Sequence, residues 1–145
     1  MKNSFKSADE VERAFYDAIE HKDIQQMTEL WLDDDAIACI HPMGARLAGR
    51  EQVIGSWQQI FQSESSLVFQ LQDISRTQQE ELTVHVLHEV ITTTDRPDKP
   101  TTVIATNIYR QDGQGQWRML LHHASISPRT VAERQDESGH PVKLH

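Results

Sequence analysis

Apolar positions along the chain change period once. Up to about residue 62 they recur every three or four residues, and from Leu67 onward they alternate. Val11, Ala14, Phe15, Ala18 and Ile19 predict an amphipathic helix over 8–21. Its start is marked by Ser7-Ala8-Asp9-Glu10, where the Ser7 hydroxyl can accept from the third helical N–H and Glu10 can reach back. Asp23 reads as the N-cap of a short second helix with Ile24, Met27, Leu30 and Trp31 on one face. Asp33-Asp34-Asp35 is a turn, and the apolar run 36–41 is a strand that Pro42 should stop near His41. A loop at 42–45 leads to Gly49-Arg50 and a third helix over roughly 50–62, with Val53, Ile54, Trp57, Ile60 and Phe61 on its apolar side.

Four segments then show a period of two and predict four long strands. The first carries Leu67, Phe69 and Leu71. In the second, Leu82, Val84, Val86, His88 and Val90 form the more apolar face. Val103, Ala105, Asn107 and Tyr109 do so in the third, and Trp117, Met119, Leu121 and His123 in the fourth. These sets are expected to face inward. Ile91, Ile104, Ile108 and Leu120 would then face outward, an apolar excess that a second copy of the chain would cover, so a homodimer is expected. Residues 94–100, with two prolines, read as a loop, and 112–115 as a hairpin turn. Helices followed by an antiparallel meander predict an α+β fold, its sheet curved around three N-terminal helices. The domain is expected to span 1–127, followed by a polar tail over 128–145.

Composition narrows the partners. With 145 residues there is length for one domain and one core. Lys and Arg total 14 against 22 Asp and Glu, a formal charge of −8 that gives a phosphate backbone no basic footprint. Nucleic acid is therefore not an expected partner. Nor is a membrane, since no apolar run approaches the ~20 residues a span needs. The N-terminus lacks the apolar stretch of a signal peptide, and a cytoplasmic location is expected. Cys39 is the only cysteine, so an internal disulfide and a multi-cysteine zinc site are both excluded.

Several local segments carry a family resemblance. Glu20-His21-Lys22-Asp23 resembles the short turn ending in Asp, and Trp31-Leu32-Asp33-Asp34-Asp35-Ala36 the step into the first strand, of the nuclear transport factor 2-like fold. Cys39-Ile40-His41-Pro42, with Gly44, Leu47, Gly49 and Arg50, resembles the strand-loop-helix segment of its SnoaL-like members, and His122-His123-Ala124-Ser125 their last strand. The likeness covers roughly 7–127 and extends to the ketosteroid isomerases and SnoaL-like polyketide cyclases. It implies a helix-filled cone with a small-molecule pocket. In the ketosteroid isomerases the general base is an Asp directly before a Pro, a position matching His41 here. Their oxyanion-hole Tyr matches Phe15, and their protonated Asp matches Asn107. By this match one donor is lost, because Phe15 cannot donate and Tyr16 lies about 100° further around the helix.

The candidate site follows. His41 is the expected acid/base, since imidazole exchanges protons near neutrality, and Asn107 the polar orienting group. With no acidic residue seen on the inward faces of the last two strands, desolvation should keep His41 neutral at pH 7. Phe15, Trp31, Trp57, His88, Tyr109 and His123 are expected to line the pocket. Each has a plain structural alternative: His41 as a group holding the 42–44 loop, His88 and His123 as hydrogen-bonded core histidines, the aromatics as core. Three inward histidines also invite a zinc reading, but His41, His88 and His123 sit on separate strands without an HExxH-type spacing, and no metal is expected. His21, His85, His122, His140 and His145 read as surface or tail residues. Arg46 or Arg50 could turn inward toward an acidic group. The functional expectation is a domain that binds a small hydrophobic or carbonyl-bearing molecule, acting as a cofactor-free isomerase, cyclase or lyase. The alternative is a non-catalytic ligand-binding or assembly domain.

Overall fold

The computed structural model describes residues 4–130. Helices α1 (Ala8–His21), α2 (Ile24–Leu30) and α3 (Gly49–Phe61) pack on one sheet. Its strands are β1 (Ala38–Ile40), β2 (Leu47–Ala48), β3 (Leu67–Gln79), β4 (Leu82–Thr93), β5 (Arg96–Gln111) and β6 (Trp117–Ile126), in the order β2-β1-β6-β5-β4-β3. All neighbours run antiparallel except β1 and β6, which pair in parallel, so the sheet is mixed. This is the α+β cone, with helices in the hollow of a curved sheet.

The helix boundaries follow their local chemistry. Ser7 Oγ accepts from the Glu10 N–H at 3.1 Å, while the Glu10 carboxylate reaches one residue past the cap, to the Lys6 N–H at 2.7 Å. α1 ends at Lys22 in the left-handed region, and Asp23 caps α2 by accepting from the Gln26 N–H. Arg50, at the start of α3, meets no buried carboxylate; the acid beside it is the exposed Asp33, 3.7 Å away. Its guanidinium donates to the carbonyls of Thr28, in the last turn of α2, and of Trp31 and Leu32 just beyond it, groups without helical partners. Phe15, fully buried, centres the core with its ring near those of Tyr16, Trp31 and Trp57.

Three expectations about the strands need correction. The segment 94–100 is not a free loop. β4 and β5 are joined by a tight turn, and the pairing jumps from Ile91↔Thr101 to Thr93↔Arg96. The two prolines fall in the skipped stretch, where no ladder N–H is required. On β4 the inward face is the opposite one: Thr83, His85, Leu87 and Glu89 are buried, whereas Leu82 and Val86 are 40% and 42% exposed. Ile91 accordingly packs inward. On β6 the expected alternation holds for Trp117 and Met119 and then reverses. Ile108 pairs with Leu121 but Tyr109 with Met119, so Leu120 is an extra residue in a β-bulge. Beyond it His122 is buried and His123 exposed, because one inserted residue moves every later side chain to the other face.

The body also runs past residue 127. Thr130 is buried, and its hydroxyl donates to the Thr102 carbonyl and accepts the Thr102 N–H. The remainder of the expected tail, 131–145, lies outside the described residues, as do His140 and His145. No helix among the described residues is long and apolar enough to cross a membrane.

Candidate functional site

Two hydrogen-bonded groups of polar side chains lie inside the cone. They arise because α1 buries a wide arc, with Glu12 and Tyr16 one turn apart on it, and because β4 turns its polar alternation inward. In the first group the Tyr16 hydroxyl donates to Glu89 Oε2 and accepts from Asn107 Nδ2 at 3.0 Å. Asn107 Oδ1, an acceptor only, lies 2.6 Å from His122 Nδ1, so His122 carries its proton on Nδ1. The His122 ring packs on Phe15 and Trp57, with centroids 4.8 and 6.2 Å away.

Burial sets the protonation of this group. It lowers the His122 pKa to about 3, assisted by the neighbouring His41 and His123, so the ring is neutral. It raises the Glu89 carboxyl to about 7, with the Tyr16 hydrogen bond pulling the other way and the Glu12 charge adding to the rise. Tyr16 is held well above its ordinary value by burial and by Glu89, and so remains a donor.

In the second group, Glu12 Oε2 accepts from the Tyr109 hydroxyl at 2.8 Å and from His85 Nδ1 at 2.7 Å. His85 Nε2 lies 3.8 Å from Asp9 Oδ1, which is held at 2.9 Å by Arg76 Nε. Asp9, Glu12 and His85 thus come within metal-ligand reach of one another. The imidazole, however, turns a different nitrogen to each carboxylate, and the Arg76 cation already holds Asp9. The arrangement is a hydrogen-bonded Glu12–His85 pair with Asp9 in ion-pair range of the second ring nitrogen, not a ligand set converging on one point.

His41, half-buried just past the end of β1, is near His122 but hydrogen-bonds to neither group. Its Nε2 lies 3.0 Å from Ser56 Oγ, and Ser56 donates to the Val53 carbonyl. Nε2–H is therefore the donor, and Nδ1 keeps the basic lone pair. Burial lowers the His41 pKa, in line with a neutral ring. The ring meets Trp57 edge-on at 4.7 Å. It does not hold the 42–44 turn, which is closed by the Gly44 N–H on the His41 carbonyl at 2.7 Å.

The two expected catalytic residues are thus not in contact. Asn107 is fully buried with its amide committed to Tyr16 and His122, while His41 faces α3. Phe15, Trp57 and Tyr109 are core residues around the polar groups. Trp31 walls a depression of about 650 Å³ beside the β5–β6 hairpin, shared with Arg50 and Arg118. His88 and His123 lie on the outer sheet face, His88 Nδ1 3.4 Å from Asp73 Oδ2. The three histidines of the zinc reading therefore do not converge.

A cleft of about 410 Å³ runs between α1 and β3. Glu12, Tyr16 and Glu20 come from the helix, and Phe69, Leu71 and Ile74 from the strand. Tyr16 connects this cleft with the buried chain. The residues missed by sequence reasoning are Tyr16, Glu89, His122, Glu12 and His85. Glu12 and Tyr16 carried a signal, an i, i+4 stripe with Ala8 and Ile19.

A helix-filled curved sheet with a polar chain inside an aromatic hollow defines a nuclear transport factor 2-like domain. Within that class the chain belongs to the SnoaL-like domain family, whose model matches residues 9–129. It is similar to a solved structure from Thiobacillus denitrificans that bears the name of a calcium/calmodulin-dependent protein kinase type II association domain. The two are 33% identical over 87% of this chain and 99% of that one, with a TM-score of 0.80. A Streptomyces avermitilis structure, named for a dehydratase of the nuclear transport factor 2-like family, is 28% identical over 81% of this chain and 91% of that one, TM-score 0.74. The F-box protein SKIP8 of Arabidopsis thaliana is 28% identical over 116 residues, 80% of this chain. The chain spans about half the length of that curated relative, 48%.

Proposed function

We propose that this SnoaL-like domain binds a small molecule in the α1–β3 cleft and exchanges protons with it through Tyr16. The class of chemistry is cofactor-free isomerisation, cyclisation or elimination on a carbonyl-bearing substrate. One observation carries the reading: Tyr16 is at once a wall of the cleft and the link between Glu89 and Asn107. Near neutrality Glu89 can hold a proton; when its O–H donates to the Tyr16 oxygen, the Tyr16 proton is free to go to developing negative charge on a ligand and can be replaced from Glu89. His41, with Nδ1 basic but outside the lining of that cleft, is the acid/base of the competing assignment, a site beside α3.

Thermal-shift screening against small aromatic, carbonyl and carboxylate compounds separates these roles, since binding to the folded state raises the melting temperature. Tyr16→Phe should lose the shifts that wild type shows. Shifts lost in His41→Ala and kept in Tyr16→Phe would move the site to His41. Shifts kept in both variants would overturn both assignments.

A second reading, an assembly domain, is favoured by the outer face of the sheet. Val84, Ile108 and Leu121 form one cross-strand row there, and Val86 continues the apolar surface in the next. The similarity to a structure named as an association domain points the same way. We propose that this face pairs with a second copy of the chain. Light scattering that gives a monomer at high micromolar concentration would contradict it.

A further inference from the structure

We infer that the α1–β3 cleft selects ligands carrying an ammonium group on an apolar body. This rests on the reading of the cleft as the binding site and adds the chemistry of the ligand.

The argument starts from Glu12. The residue is only 4% exposed, yet it lines the cleft. Among the described residues both of its donors, Tyr109 and His85, reach the same oxygen, Oε2. Oε1 is the atom left to the cleft. That oxygen belongs to a residue nine-tenths buried, so it is poorly hydrated, and a ligand N–H that reaches it is favoured. A cationic donor gains most, because the hydrogen bond is then charge-assisted on both sides.

The surroundings agree in sign and shape. Asp9, Glu12, Asp17 and Glu20 face Arg13 and Arg76 around the cleft, an excess of two carboxylates. One of the two guanidiniums, Arg76, is engaged by Asp9 at 2.9 Å. Glu20 is held by the Phe69 N–H at 2.8 Å, which leaves the rim acidic while fixing β3 to α1. Beside Glu12 stand the rings of Tyr16 and Phe69, with centroids 5.1 Å apart and planes at 53°. Such a pair offers ring faces to a cation as well as contact to an apolar body. An anionic ligand would meet the excess negative charge, and a neutral one would forgo the charge-assisted bond.

The test uses three matched probes with the wild-type protein: 2-phenylethylamine, 2-phenylethanol and 3-phenylpropionate, with dissociation constants from titration calorimetry or NMR shifts. The inference expects the amine to bind at least tenfold more tightly than the alcohol, and the carboxylate weakest. It expects Glu12→Gln to remove most of the amine's advantage over the alcohol. Should Glu12→Gln fail to fold, raised salt with wild type serves instead: the amine's affinity should fall with ionic strength and the alcohol's should not. An alcohol that binds as well as the amine, or a carboxylate that binds best, overturns the inference and leaves the cleft as the site. Probes that bind equally well with their resonance changes confined to the depression beside the β5–β6 hairpin overturn the cleft reading itself.

Discussion

Glu89→Gln gives a direct test of the buried chain, because it removes one titration and keeps an acceptor for Tyr16. The Glu89 pKa rises from an ordinary 4.5 in the unfolded chain to about 7 in the fold. The folded state therefore holds this proton longer than the unfolded state does. Stability is unaffected below about pH 4.5 and falls as the pH rises through 7. At 1.36 kcal/mol per unit the loss is about 3 kcal/mol. His122 works in the opposite direction. Its pKa is lowered from 6.5 to about 3, so the unfolded chain takes up a proton first, and stability is lost as the pH falls from 6.5 toward 3. Between about pH 4.5 and 6.5 the two slopes cancel, and the wild type should be nearly flat there. Glu89→Gln should therefore gain on wild type by about 3 kcal/mol between pH 4.5 and 8. Urea unfolding followed by tryptophan fluorescence at half-unit pH steps reads this difference, and titrations common to both proteins drop out. A difference constant to within about 0.5 kcal/mol across that range would refute the argument that burial holds the Glu89 proton.

Tyr16→Phe should cost roughly 2–4 kcal/mol, since it strips a partner from both Glu89 and the Asn107 amide; a loss under about 1 kcal/mol in urea denaturation would contradict that bonding. His122→Ala should destabilise by roughly 3 kcal/mol, whereas His123→Ala should stay within about 0.5, and equal effects would contradict the bulged register. Arg50→Met should cost about 1–3 kcal/mol and raise amide exchange selectively at the end of α2 and at Leu32; uniform exchange would mean that the guanidinium does not tie those carbonyls down.

The helices were legible in the sequence because their signals are local: a cap at Ser7, a cap at Asp23 and a 3.6-residue period that α1 and α3 keep. The faces of the strands were not. On β4 the alternation is clear, but both of its faces carry apolar residues, and the polar one turns inward to meet Glu12 and Tyr16 on α1. Nothing on β4 alone says so, since the partners lie 73 residues earlier in the chain. On β6 the alternation in the sequence runs through Leu120 without a break, because a bulge leaves no residue signature there. The candidate site suffered from both errors. The inward position of Asn107 is legible because β5 keeps one face throughout, while Tyr16 lies off the apolar stripe of α1 although the buried arc of that helix includes it.

The extra residue at Leu120 divides β6 into two separately registered halves. Upstream of it, Trp117 and Met119 face the core, and the Met119 carbonyl accepts the Leu32 N–H at 2.9 Å, so this half answers to the segment that follows α2. Downstream, His122 and Ala124 answer to β1 and β5. Deleting Leu120 would straighten the strand without turning any inward side chain outward, since Leu121 would simply take its place after Met119. A relative one residue shorter at this point can therefore keep the same interior. In such a relative the inward histidine is identified by counting from the downstream half of the strand, not from Trp117.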